Sequence, residues 1–262
     1  MNREFRFGHQ SDAWAIARRG RITCSRLFEM IAQRKVGDKA KELAITANYR
    51  RELVSARATG RHVDHYVSRA MQDGIEREGA ARLLYDATER VMTDTTVAIK
   101  VHEAYDFLSG SPDALVGVEG GVEIKAPTDP VHLDYLKAHR RNPQFVPERY
   151  IPQCAGYLMV YPEREWWDWV SFNPYFDREH MMIKTRLHRE DWASTLTLIE
   201  ERACAFNEEI EKELRELGFP ATQWLLPTKD GHLPAMEDMP AVTREPPGAM
   251  ITDEDVEWLQ NR

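Results

Sequence analysis

Along the chain, helix-type patterning gives way to β-branched runs at Val91 and returns near Arg189. Ser11 can cap a short helix that runs through Arg19 and ends at Gly20, and Thr23 or Ser25 can cap a second reaching about Gln33. A long charged helix is expected over Lys39 to Ala58 and another from Asp64 to about Thr88, so four helices should precede the first strand. Val91 to Ile99 reads as that strand. Ala114 to Val118 and Val122 to Ala126 read as two more, joined by a hairpin turn at Glu119-Gly120-Gly121. Helices are expected over Pro130 to Arg140 and Pro152 to Tyr161, the latter with its proline in the first turn, where no N–H is needed. Strands over Glu165 to Phe172 and His180 to Arg186, then a long helix from about Arg189 to Leu217, complete the pattern. The order predicts an α/β fold with a helical N-terminal part and a central sheet flanked by helices.

Beyond Trp224 the pattern fades. Pro227, Pro234, Pro240, Pro246 and Pro247 punctuate a segment too poor in apolar residues to build a core of its own. Residues 1–224 are therefore expected to form one domain, and residues 225–262 an acidic, proline-containing extension with a short helix over Thr252 to Gln260. No apolar run approaches the ~20 residues that span a bilayer, and Met1 to Arg21 lacks the apolar stretch of a secretory signal, so the expected location is the cytoplasm.

Composition narrows the chemistry. Cys24, Cys154 and Cys204 lie far apart, with no CxxC pair, and the nine histidines include no HExxH. Zinc ribbons and iron–sulfur clusters are disfavoured, and any metal should be a hard cation held by oxygen. The net charge of −8, taken as a sum, disfavours a nucleic-acid partner. Its distribution matters more: residues from Glu190 onward carry 17 acidic and 6 basic side chains, a net −11, which leaves the first 189 at +3. Arg18, Arg19, Arg21, Arg26, Arg34 and Lys35 concentrate there, as a solvated helix face or an anion-binding surface.

The candidate chemistry sits on the predicted hairpin. Ser111-Pro112-Asp113 is followed ten residues after the aspartate by Glu123-Ile124-Lys125. On a strand, residues two apart share a face, so Glu123 and Lys125 point together while Ile124 turns inward, and Asp113 comes back across the hairpin. Two converging carboxylates repel each other unless a divalent cation sits between them. Magnesium suits such oxygen ligands and activates water as a nucleophile, and Lys125 can orient or deprotonate that water or stabilise charge on phosphorus. As a bare pattern, an acidic-x-Lys after Pro-Asp also arises by chance, and an ordinary ion pair on a surface hairpin is the alternative.

More than this motif resembles the phage lambda-type exonucleases, the YqaJ-like viral recombinase family within the PD-(D/E)xK nuclease superfamily. Asp12-Ala13-Trp14 followed by Arg18 to Ser25 resembles the opening block, Gly74 to Glu78 the helix glutamate, Ser111 to Asp113 and Glu123 to Pro127 the core, and Tyr150 to Gln153 the glutamine helix. The similarity covers roughly residues 10–224. It implies a restriction-endonuclease-like fold with a central mixed sheet. By resemblance, Asp113 and Glu123 are metal ligands, joined by the Ile124 carbonyl and Glu78. Lys125 and Gln153 complete the catalytic set, Gln153 near the nucleophilic water. Arg18, Ser25 and Ser111 match the positions that hold the 5′-terminal phosphate, and Met71 the wedge against the duplex end. The cofactor implied is Mg2+, two per site, with Mn2+ as a substitute.

The resemblance further implies a 5′→3′ exonuclease on linear double-stranded DNA that releases mononucleotides and leaves 3′ overhangs. It implies a homotrimer, a phage-encoded single-strand annealing protein as partner and a phage or prophage origin in a bacterial host. Where the family often repeats glutamine two residues on, this chain has Ala155. Alternatives stay open residue by residue: an ion pair with Arg82 for Glu78, helix capping for Ser25, core packing for Met71, backbone capping for Gln153. Trp166, Trp167 and Trp169 read as core and rim packing rather than a base-stacking platform, and His102 and Glu103 as loop residues. An endonuclease or junction resolvase of the same superfamily, or a non-catalytic DNA-binding module on the nuclease fold, are the rival functions.

Overall fold

The computed structural model describes residues 3–6, 12–36, 39–61 and 69–219. The elements in order are β1 (Glu4–Phe5), α1 (Asp12–Arg18), β2 (Ile22–Thr23), α2 (Leu27–Ile31), β3 (Gln33–Val36), β4 (Lys39–Glu42), α3 (Ala44–Thr59) and α4 (Arg69–Glu89). There follow β5 (Thr93–Asp94), β6 (Ile99–Val101), β7 (Leu108–Gly110), β8 (Ala114–Val116), β9 (Gly120–Lys125), α5 (Asp129–Arg141), α6 (Ile151–Val160), β10 (Trp166–Phe172), β11 (Met182–His188) and α7 (Ala193–Glu216). The acidic extension lies outside the described residues.

The larger sheet has strand order β11-β10-β9-β8-β5 and is mixed, because β9 and β10 run parallel while the other pairs are antiparallel. The helix α6 provides the crossover that a parallel pair requires. Both faces are buried, so the residues of β10 from Trp167 to Phe172 are all buried, Asp168 and Ser171 included. Trp167, Trp169, Ile183 and Leu187 pack into the core beneath α2, α3, α6 and α7, whereas Val122, Ile124, Val170 and Phe172 pack against Ala81 and Tyr85 of α4. Trp167 and Trp169 on β10 are thus core residues, fully buried, while Trp166 is a partly buried rim residue with the Arg186 guanidinium 3.5 Å from its ring centre. Each fully buried ring removes roughly 200 Å² from water, a gross gain of about 5 kcal/mol.

A second sheet, β1-β6-β7-β2, positions the N-terminal part. It overturns the expectation that four helices precede any strand: β1 pairs with β6, β2 runs parallel to β7, and β3 and β4 form a hairpin. These strands are two to four residues long, and their partners lie far along the chain or depend on a turn, so local pattern does not announce them. The helix expected from Lys39 accordingly begins at Ala44. The run Val91 to Ile99 is not one strand but two, β5 in the larger sheet and β6 in the smaller. Nor is Glu119-Gly120-Gly121 the hairpin turn. The turn is Gly117-Val118-Glu119, with Gly117 at φ +53°, and Gly120 and Gly121 lie within β9. A Cβ on Gly120 would stand 2.2 Å from the Trp166 ring, and one on Gly121 2.3 Å from the Trp167 ring, so neighbouring tryptophans demand these glycines.

After β5 the chain therefore crosses between the two sheets twice in quick succession, once from β5 to β6 and once from β7 to β8. Ser111-Pro112-Asp113 is the second crossing. The Ser111 hydroxyl donates to the carbonyl of Ala98 at 2.5 Å, stitching one crossing to the other.

Candidate active site

On β9, Glu123 is almost fully buried and Lys125 is partly exposed, while Ile124 turns to the α4 side, as a two-residue period requires. Asp113 Oδ2 accepts a 2.6 Å hydrogen bond from the Ile124 N–H, so the aspartate does come back across the hairpin. Burial, Glu123 and Glu78 push the Asp113 carboxyl well above the usual carboxylate range, against the pull of Lys125 and the Ile124 N–H. Burial and Glu123 also raise Glu78, opposed by Arg82 and Lys125. Glu78 is half-buried on α4, which packs on β9. The structure thus gathers Glu78, Asp113 and Glu123 within one another's field.

Lys125 Nζ contacts Glu123 Oε1 and lies 5.0 Å from the ring centre of Tyr150. Burial disfavours its charge, but Glu123, Asp113 and Tyr150 outweigh burial and hold the ammonium above its ordinary pKa. It is therefore a cation in this arrangement, suited to stabilising negative charge. Gln153 lies in the first turn of α6 and donates through Nε2 to Glu123 Oε1 at 2.6 Å and to Tyr157 Oη at 3.0 Å. Tyr157 in turn donates to the Ser111 carbonyl at 2.9 Å.

The other oxygen of Glu123, Oε2, is buried with no hydrogen-bond partner among the described residues. A buried anionic oxygen left in that state is costly, and a divalent cation meets it. Among the described residues no three His, Cys, Asp or Glu side chains form a cage by themselves. A cation here would have to complete its shell with carbonyl oxygens and water, as Mg2+ does when it takes one or two carboxylates. The donors present fit such an ion: Asp113 and Glu123, with the Ile124 carbonyl and Glu78 beside them.

The small sheet sets β2 alongside β7, bringing the end of α1 and the turn after β2 close to Ser111. Arg18, the last residue of α1, donates through Nη2 to Ser25 Oγ at 3.1 Å and to Thr23 Oγ1 at 3.5 Å. Burial lowers its pKa, so an approaching anion would restore what desolvation removes. Neither Thr23 nor Ser25 caps a helix through its side chain: a 3-10 turn over Cys24–Arg26 precedes α2. Ser111 bonds to neither Arg18 nor Ser25 directly. Trp14 stands between them, its indole Nε1 donating to Ser111 Oγ at 2.7 Å and its ring 4.2 Å from the Arg18 guanidinium. Sequence reading assigned Trp14 no role, although its spacing of four from Arg18 on a helix is the signal that places them together.

Two further expectations meet different ends. Met71 falls in the first turn of α4, where the side chains lie outside the described residues. His102 is a loop residue, its Nδ1 accepting from the backbone N–H groups of Ala104 and Tyr105 at 3.1 and 3.2 Å. Among the described residues, no helix is long and apolar enough to cross a membrane.

Solved structures share this architecture. An alkaline exonuclease from Laribacter hongkongensis, LHK-Exo, superposes with a TM-score of 0.68 at 28% identity, covering 79% of this chain and 96% of that one. The same enzyme in complex with dAMP gives a TM-score of 0.69 with the same identity and coverage. A phage-related exonuclease from Haemophilus somnus 129PT shares the fold at 15% identity, with a TM-score of 0.57 over 75% of this chain and 96% of that one. These matches identify the fold as restriction-endonuclease-like. No curated protein matches the sequence. The YqaJ-like viral recombinase domain model spans residues 13–162, from beside Trp14 past Gln153, and the chain belongs to that family.

Proposed function

We propose that this protein is a Mg2+-dependent exonuclease that degrades one strand of linear double-stranded DNA from its 5′ end, releasing mononucleotides and leaving a 3′ overhang. The observation that carries the reading is the buried, partnerless Oε2 of Glu123 beside Asp113 and Lys125. Family membership and the two exonuclease neighbours support it. Asp113, Glu123, the Ile124 carbonyl and Glu78 would hold the cation, which when bound activates water and neutralises charge on the phosphate. Lys125 stabilises negative charge at phosphorus, and Gln153 orients the water. Arg18 and Ser25 hold the terminal phosphate, with Ser111 joining that pocket to Asp113. Membership in the family also supports a homotrimer and a phage annealing protein as partner.

The test is digestion of linear duplexes bearing 5′-phosphate or 5′-hydroxyl, with a closed circle as control. Wild type should prefer the phosphate and spare the circle. Asp113→Ala should abolish cleavage of every substrate, whereas Arg18→Ala should mainly erase the preference. Equal rates on both ends would remove the phosphate pocket, and cutting of the circle would make the protein an endonuclease.

A further inference from the structure

The geometry points to Tyr157 as a positioning residue for cleavage, acting by fixing which way round the Gln153 amide sits; the inference rests on the nuclease reading. A carbonyl oxygen can only accept, so the Tyr157 hydroxyl must give its one proton to the Ser111 carbonyl, 2.9 Å away. Its oxygen is then an acceptor toward Gln153, and an acceptor there demands the amide nitrogen. Glu123 Oε1 demands the same nitrogen at 2.6 Å. Both protons of Nε2 are thereby committed, one to Glu123 and one to Tyr157. The amide oxygen is left as an acceptor, which is what a water needs if its proton is to be held while a lone pair faces phosphorus.

The rest of the site keeps Tyr157 from drifting. Its ring stacks on Trp167 with centroids 4.7 Å apart, and a Cβ added at Gly110 would stand 3.0 Å from it. Gln153 is itself only 5% exposed. Without the phenol oxygen, one amide proton loses its acceptor and Glu123 alone orients the group. Replacement by phenylalanine keeps the stacking and removes only that oxygen.

The experiment is a double-mutant cycle on digestion of a 5′-phosphorylated linear duplex with Mg2+. Tyr157→Phe should lower kcat roughly tenfold with KM nearly unchanged, the size of one lost hydrogen bond. In a Gln153→Ala background the same replacement should cost nothing further, because the residue it acts through is gone. Tyr161→Phe serves as control: its hydroxyl, one turn along the same segment, is buried without a hydrogen-bond partner among the described residues, and its loss should leave kcat at the wild-type level. Additive losses in the cycle, an unchanged kcat in Tyr157→Phe, or a kcat in Gln153→Ala equal to wild type would each overturn the proposal. If instead the wild type itself fails to digest the duplex, it is the nuclease reading that falls. A thermal midpoint for each variant separates a local effect from general loosening, and a loss of kcat in Tyr157→Phe that tracks the midpoint alone would also overturn it.

Discussion

Trp14 donates its indole N–H to the Ser111 hydroxyl at 2.7 Å, and this bond joins the helix that carries Arg18 to the Ser-Pro-Asp crossing. The same ring lies 4.2 Å from the Arg18 guanidinium. A cation over an indole is worth about 0.5–1 kcal/mol at an exposed site and more when desolvated, and the hydrogen bond about 1 kcal/mol. Arg18 is thus aimed by a ring that is itself pinned to Ser111.

Trp14→Phe should therefore keep the ring and lose the pin. The ratio of digestion rates on 5′-phosphate and 5′-hydroxyl ends should fall roughly fivefold, and Trp14→Ala should lower it further because both contacts go. Rates on the hydroxyl end should change little. A phosphate preference that survives intact in Trp14→Ala would show that Arg18 needs no such support.

Gly121 and Gly117 should respond oppositely to the sequence-based expectation of a turn at the former. Gly121→Ala drives a methyl into the buried Trp167 ring, which is confined on both sides, and should cost about 3 kcal/mol. Gly117→Ala meets no atom within 4 Å and suffers only its positive φ, about 1 kcal/mol. Urea midpoints at constant m-value check the order of the two.

The contrast shows what was legible from the chain alone. The long elements, α5, α6, α7, β10 and β11, follow from caps, prolines and apolar runs, because their determinants are local. The Asp113, Glu123 and Lys125 set was legible for the same reason, being a strand period plus a hairpin. What stayed hidden depends on contacts between distant residues: the small sheet, the division of Val91 to Ile99 between two sheets, and the tryptophans that require Gly120 and Gly121. Trp14 and Tyr157 were visible as residues, but their hydrogen-bond partners were not. What each does in the fold depends on which atoms it donates to, and residue type does not encode a partner.

Mg2+ should stabilise the protein more at higher pH. Burial and the neighbouring carboxylates raise the folded pKa of Asp113 above its ordinary 3.8. The stability this shift contributes is fully present below the unfolded value and is lost as pH rises through the raised folded one. In the metal-free protein, deprotonation of Asp113 therefore works against folding, and a cation offsets it. The gain in thermal midpoint on adding Mg2+ should be larger at about pH 8 than at about pH 5, and Asp113→Asn should remove most of the difference. Equal gains at both values would disconnect the carboxyl from cation binding.

His132 should set a separate, acid-side limit on stability. It is fully buried between α5 and β10, with Nδ1 2.8 Å from Ser171 Oγ and Nε2 2.8 Å from the His180 carbonyl, and the Phe176 ring packs against it. Burial lowers its pKa from 6.5, outweighing the His180 carbonyl and Asp129. For a depressed folded pKa, the contribution is whole above the unfolded value and is lost as pH falls through the folded one. Stability in urea should decline below pH 6.5, with a slope of at most about 1.4 kcal/mol per pH unit from this group. His132→Phe should be less stable at neutral pH, because the Ser171 hydroxyl loses its partner, yet should show a flatter acid limb. The same acid slope in the variant would assign the loss to other groups.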